Sequence, residues 1–161
     1  IELAPALCYC GCDAPDADYM HSEELRIAEL AGVVKMRPAF SEAPVDGQMF
    51  VQHRIAAEAD KVWKLLGVGA KVYICGDGGR MAPGVRDAFR TIYTERTPGA
   101  DAADAGAWLD SLVADGRYIE DVYAAWRRPR FSLSLIHIDA ADDMPCVGRG
   151  GRRIIKKHTV H

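Results

Sequence analysis

Three short apolar runs, each closed by a turn and followed by a helix-period pattern, limit this chain to few architectures. The first run, residues 6–11, ends in Gly-Cys and the turn-prone DAPDAD. Ser22 then precedes Glu23 and Glu24, the acidic first turn expected at a helix start, and Gly32 closes that helix after Ala31. Residues 33–40 are the second run, and a loop with Pro44 and Gly47 follows. Val51, Ile55, Ala59, Val62, Trp63 and Leu66 fall on one face of a single predicted helix, which Gly67 and Gly69 stop. Residues 72–75 are the third run. Met81, Val85, Phe89 and Ile92 mark the next helix, with Pro83 tolerable in its first turn. Another helix starts near Asp104, carries Trp108, Leu109, Leu112 and Val113, and ends at Gly116. Residues 119–123 read as a last short strand.

Strand and helix in alternation predict an α/β fold, a Rossmann-like parallel sheet with helices on both faces. Ligands of such sheets sit beyond the carboxyl ends of the strands. The loops after residues 11, 40 and 75 are therefore the places to look. Neither GxGxxG nor GxxxxGK followed by Ser or Thr occurs, so no phosphate loop is visible. Gly76-Asp77-Gly78-Gly79 is too short and too acidic to be one.

With 161 residues, 49% hydrophobic and 27% charged, the chain fits one globular domain with a sizeable core. No apolar run approaches the roughly 18–20 residues of a membrane span, and no signal peptide is visible. The first residue is Ile1, so the start is expected to be cut from something longer. An odd count of cysteines (Cys8, Cys10, Cys12, Cys75 and Cys146) argues for a reducing, cytoplasmic setting. Cys8, Cys10 and Cys12 have the spacing of metal ligands. Residues two apart also share one face of a strand, and no fourth ligand pair is present, so buried strand thiols are the expectation and no metal is assigned. Cys75 is open to two readings: a buried thiol at a strand end, or a thiol held against something that reacts.

Periodicity stops after Trp126. The basic, turn-rich remainder has the composition of a nucleic-acid or nuclear-import tail. A duller reading is stronger: Leu133-Ser134-Leu135-Ile136-His137-Ile138 is what the DNA run CTGTCTCTTATACACATC encodes, which resembles a transposase adapter used in sequencing libraries. Asp139-Ala140-Ala141-Asp142 resembles its continuation with one base lost, and residues 150–155 resemble the flow-cell primer that follows. Residues 127–161 are therefore expected to be a non-native tail, translated adapter from about residue 131, and to lie outside the fold. Residues 1–126 carry 12 Lys and Arg against 20 Asp and Glu, a net of −8. So acidic a domain is a poor candidate for binding nucleic acid through its backbone.

The stretches CYCGCDAPDADYMHSEEL, AFSEAPVDGQMFVQH, VYICGDGGRMAPGVRDAF and GRYIEDVY stand in the order seen in diflavin reductases. Over about residues 7–126 the chain resembles the C-terminal, ferredoxin-NADP reductase-like nucleotide-binding lobe of NADPH–haemoprotein reductases. The likeness is strongest to reductase modules fused to a bacterial or fungal haem monooxygenase. The family's first strand and glycine-rich pyrophosphate loop would precede Ile1, so the lobe is expected to be truncated at its N-terminus. The resemblance implies hydride transfer from NAD(P)H to FAD, then electron flow through FMN to a haem partner. FAD and FMN would belong to other domains of the parent chain, so the fragment alone is expected to be inactive. A non-catalytic nucleotide-binding or interaction remnant is the alternative.

Residue roles follow from the same resemblance. Cys75 matches the family cysteine beside the nicotinamide, and Asp121 matches a carboxylate near the reacting pair. Asp77 and Met81 belong to the cofactor loop and the helix behind it, although Asp77 alone would be read as a turn or cap carboxylate. Tyr123 falls where the family places a terminal aromatic that stacks on FAD, with Trp126 its rival. The family reads the 2′-phosphate of NADPH with Ser-Arg, then Lys-x-Tyr ahead of Val-Gln-His. Here those positions hold Ser41-Glu42, then Gln48 and Phe50, with Val51, Gln52 and His53 kept; the family's Arg after Gly-Cys is Asp13. Like charges at near-contact distance repel by several kcal/mol at an effective dielectric of about 20. A carboxylate near the ribose favours a free 2′-hydroxyl. The chain is therefore expected to prefer NADH, with read error at these positions as the competing explanation.

Overall fold

Every apolar run forms a strand, and each is followed by the helix that buries one of its faces. The computed structural model describes residues 6–123 and 134–139. In chain order the elements are β1 (Ala6–Cys12), α1 (Ser22–Leu30), β2 (Lys35–Phe40), α2 (Val51–Ala57), α3 (Ala59–Gly67), β3 (Lys71–Asp77), α4 (Met81–Arg96), α5 (Ala102–Ala114), β4 (Tyr118–Tyr123) and β5 (Ser134–Asp139). They form a mixed α/β, Rossmann-like fold around one five-stranded sheet of order β2-β1-β5-β3-β4. The β1–β2 and β3–β4 pairs are parallel, as the alternation of strand and helix predicts.

The two faces of the sheet are covered unequally. Leu7, Tyr9, Val72, Ile74, Ile136 and Ile138 point into the main core, where Val51, Ile55, Val62, Val85, Phe89, Leu109 and Leu112 of the helices meet them. On the other face Leu25 of α1 covers Cys8, Cys10, Cys12 and Met36. The thiols are strand packing, as expected: burial pushes Cys8 up to about 11, which keeps it protonated and unreactive at neutral pH. The β3–β4 half of this second face stays open, leaving Tyr73, Ile119 and Tyr123 between 38% and 45% exposed. Among the described residues helices lie on both faces, but only half of the second face has one.

One helix expectation needs correction. The single helix over residues 51–66 is two, α2 and α3, broken at Glu58 (φ −106°, ψ 27°). Long-range bonds hold Glu58 at the break. Arg37 Nε donates to both carboxylate oxygens at 2.8 and 2.9 Å, Tyr9 Oη donates to Oε2 at 2.9 Å, and Lys61 Nζ donates to Oε1 at 3.1 Å. The helix expected near Asp104 starts at Ala102. Asp101 caps it by accepting from the amides of Ala103 and Asp104, while the Asp104 carboxylate accepts from the Asp101 amide.

Burial would raise the Glu58 carboxyl, but hydrogen bonds from Arg37, Tyr9 and Lys61 hold it below its ordinary 4.5. A carboxyl depressed in the folded state adds stability above pH 4.5 that is lost as pH falls through the folded value. Glu58→Gln should cost about 1–3 kcal/mol at neutral pH and flatten the acid limb of the stability curve. Thermal unfolding followed from neutral to acid pH checks both effects.

The largest departure concerns the tail. Residues 127–161, translated adapter from about residue 131, are expected to lie outside the fold. Instead Ser134–Asp139 forms β5 and lies between β1 and β3, antiparallel to both. Ile136 and Ile138, two apart, have the period of a strand and face the main core, while Leu135, on the other face, packs on the cysteine cluster. The ladder edges of β1 and β3 offer paired partners for backbone groups that are costly to bury unpaired. Trp126 and Cys146 lie outside the described residues.

Candidate functional site at the carboxyl ends of the strands

Polar residues gather where β1, β2, β3 and β4 end, as the loop positions predict. They form two groups, one at the ends of β1 and β2 and one at the ends of β3 and β4, with β5 between the two strand pairs.

The first group is Cys75, Asp77, Met81, Asp121 and Tyr123. Parallel pairing sets Cys75 opposite Asp121 and Asp77 opposite Tyr123. Paired residues share a face, so the thiol and the Asp121 carboxylate both lie on the open half of the sheet, and both are exposed. Cys75 is the one exposed cysteine of the four described. That excludes the buried-thiol reading.

The chain turns immediately after Cys75. Gly76 has φ 141°, a value that side-chain-bearing residues rarely adopt. Gly78 donates its amide to the Tyr123 carbonyl at 2.9 Å, and a Cβ there would meet that oxygen at 3.2 Å. The Asp77 carboxylate accepts from the amides of Gly79 and Arg80 at 2.9 and 3.1 Å, the turn role its sequence position allows. Met81 is buried in the main core beneath this loop. Arg86 of α4 grips Glu120 of β4 through two bonds, Nε to Oε1 at 2.7 Å and Nη2 to Oε2 at 2.5 Å, and so fixes the strand that carries Asp121 and Tyr123. Beside this clamp a groove of about 410 Å³ runs past Gly78, Ala82, Arg86 and Val122. It belongs to the α4 side, whereas Cys75 faces the open side.

The second group is Ser41, Glu42, Gln48, Phe50 and Gln52, with Asp13. The Asp18 carboxylate accepts from the Asp13 amide through both oxygens, at 2.8 and 2.9 Å, and from the Ala14 amide at 3.1 Å. This closes the loop after β1. Ser41 Oγ donates to Asp13 Oδ1 at 3.1 Å, and the Glu42 amide donates to the Asp13 carbonyl at 2.9 Å. Two carboxylates therefore border the end of β2. Gln52 lies against Gly84 of α4, where an added Cβ would meet its Nε2 at 3.1 Å. Phe50 is half-exposed and packs on the His53 ring, centroids 5.5 Å apart.

One cation in this group is not singled out by the sequence. Arg54 Nη1 donates to Gln48 Oε1 at 3.0 Å. The family motif Val51-Gln52-His53 ends one residue short of it. An arginine one helical turn into α2, facing back towards Gln48, was the available signal.

Among the described residues no group of three His, Cys, Asp or Glu is placed to hold a metal ion. Among them, too, no helix is long and apolar enough to cross a membrane.

The fold and the site together define a Rossmann-like α/β protein whose polar residues collect at the carboxyl edge of its parallel strands. The chain belongs to the diflavin reductase family, in which it is related to P450 reductase modules. It is 37% identical over 121 residues to "Bifunctional cytochrome P450/NADPH–P450 reductase 2" of Bacillus subtilis (strain 168), covering 75% of this chain and 11% of that protein. It is 35% identical over 115 residues to "NADPH oxidoreductase A" of Dictyostelium discoideum, covering 71% of this chain and 18% of that protein. Human "NADPH–cytochrome P450 reductase" is 33% identical over 124 residues, covering 76% of this chain and 18% of that protein. The chain thus spans less than a fifth of the length of each of these three relatives. No protein-family model matches it.

Proposed function

We propose that residues 1–126 are the nicotinamide-dinucleotide-binding lobe of a flavin-dependent reductase. In this reading the parent chain passes hydride from NAD(P)H to FAD and electrons onward through FMN to a haem protein. Its FAD and FMN domains and a haem monooxygenase are the partners, and four free thiols in the described region suit a cytoplasmic setting. The observation that carries the reading is the pairing of an exposed Cys75 with Asp121 on an uncovered sheet face, at the carboxyl edge of a fold whose relatives are named as NADPH reductases.

The residues present fit a dinucleotide. An extended ligand lying along the carboxyl edge would meet Ser41, Gln48 and Arg54 at one end and Cys75, Asp121 and Tyr123 at the other. When bound, it supplies the hydride. Cys75 offers a small polarisable surface for a flat ring to pack on. Asp121, on the paired strand, places a negative charge where positive charge builds on that ring, and Tyr123 shields the position from water. Asp77 holds the turn that aims the thiol, and the Arg86–Glu120 clamp holds β4 in register. Position and electrostatics are what the lobe contributes, because the cofactors carry the redox chemistry.

Preference between NADH and NADPH rests on the second group. Asp13 and Glu42 repel a 2′-phosphate, whereas Arg54, held by Gln48, attracts one. Two carboxylates against one cation favour NADH, in contrast to the NADPH named in the relatives. The test is protection of Cys75 from a thiol reagent in a Cys146→Ser background, titrated with NADH and with NADPH. Both nucleotides should protect, NADH at equal or lower concentration. Arg54→Gln should weaken NADPH by about tenfold and leave NADH little changed. No protection by either nucleotide removes the lobe assignment, and clear NADPH selectivity removes the NADH preference.

A further inference from the structure

Two rows of polar residues meet at the groove beside the Arg86–Glu120 clamp. Arg86 and Arg90, one turn apart on α4, form the first row, and both line the groove. Glu120 and Tyr118, two apart on β4, form the second, on the face of the strand that turns away from Asp121 and Tyr123. One pair is satisfied: both Glu120 oxygens accept from Arg86. The other is not. Arg90 Nε and Tyr118 Oη are both buried, and neither has a hydrogen-bond partner among the described residues. Tyr118 is only 3% exposed, with its ring edge-on to Phe89 in the core. Burial, and then the charge on Glu120, push its phenol above the ordinary 10, so it keeps its proton at neutral pH and can donate.

A buried donor without an acceptor is costly. Two of them beside a groove of about 410 Å³ call for acceptors brought from outside. Positive charge is available there as well. Among the described residues the acid bonded to Arg90 is Asp87, whose Oδ1 accepts from Nη1 at 3.2 Å. That carboxylate is 73% exposed, and so open a pair is worth little. Ala82, Pro83 and Val122 give the groove apolar walls. We propose that the groove binds a small monocarboxylate, whose two oxygens accept from Arg90 Nε and Tyr118 Oη while its apolar body lies along Ala82, Pro83 and Val122. Asp87 and Glu120, the acids lining the groove, disfavour a second negative charge on the ligand. The groove lies on the α4 side, away from the face that carries Cys75, and its ligand does not depend on the reductase reading.

Titration of the full chain with benzoate, followed by saturation-transfer NMR, tests it. Binding should saturate. Arg90→Leu should weaken it by about tenfold or more, and Tyr118→Phe by about three- to tenfold. Benzyl alcohol, the same ring without the carboxylate, should bind about tenfold less well or worse. Without ligand, Tyr118→Phe should melt at or above the parent temperature, because it removes a buried donor that has no partner. A melting temperature lower by several degrees would show the hydroxyl already bonded and overturns the proposal. So does equal binding of the alcohol, or no saturable binding of benzoate up to roughly 50 mM. Affinities unmoved in both variants place the carboxylate elsewhere and overturn it too. If Arg90→Leu does not fold, Arg90→Lys takes its place, since it keeps the charge and lacks the Nε donor. Binding should then weaken about threefold or more, and unchanged binding overturns the proposal.

Discussion

Replacing Ile136 by aspartate should remove most of the stability of this domain. Ile136 is fully buried, with Ile138, in the core shared by both halves of the sheet. Truncating a buried isoleucine to a small residue costs about 2–5 kcal/mol. An aspartate adds a polar group or charge that no described neighbour there is placed to satisfy, a penalty of a further few kcal/mol. Small domains hold roughly 5–15 kcal/mol in total, so the sum approaches the whole margin. The expected result is loss of the cooperative transition near room temperature, or a melting temperature lower by about 15 °C or more. Lys71→Ala at the exposed start of β3 should leave the transition within a few degrees, because surface changes cost about 0.5 kcal/mol or less. Thermal unfolding by circular dichroism reads both variants. An Ile136→Asp variant that melts like the parent would show that β5 does not hold the sheet together.

The strand is also where sequence and structure part most sharply. β1 to β4 are legible because each short apolar run ends in glycine or a turn, and the helices after them repeat an apolar residue every three or four positions. Those are local signals. The break at Glu58 is not local. It depends on Arg37 in β2 and Tyr9 in β1, partners 21 and 49 residues away, so periodicity alone reads one continuous helix. β5 lies between these cases: its alternation marks it as a strand, but the strands it would join are set by ladder edges opened elsewhere in the chain. The site divides the same way. Cys75, Asp77 and Asp121 stand in family motifs and arrive together because β3 and β4 pair in register. Exposure of Cys75 depends on which half of the sheet face α1 covers, and no motif states that. Arg54 was missed because its role comes from reaching back to Gln48.

Cys75 carries the largest functional effect expected. On the proposed reading the thiol is one wall of the surface against which the reacting ring lies, with Asp121 beside it on the paired strand. Cys75→Ala removes that wall and opens room for the ring to tilt or for water to enter. Misplacement of reacting atoms by about 1 Å costs roughly 10²-fold in rate. Flavin reduction followed by stopped flow in the flavin-bearing parent chain should therefore slow by about 10- to 100-fold. Affinity should move much less, because the contacts at Ser41, Gln48 and Arg54 belong to the other group and are untouched. Cys75→Ser restores the volume without the polarisability and adds a hydrated hydroxyl, so its rate should fall between the other two. The split between rate and affinity is the informative part. A thiol that only fills space in β3 would, on removal, lower stability and leave flavin reduction unchanged. A fall in rate at unchanged melting temperature assigns Cys75 to the chemistry, and unchanged reduction in both variants removes it from the site.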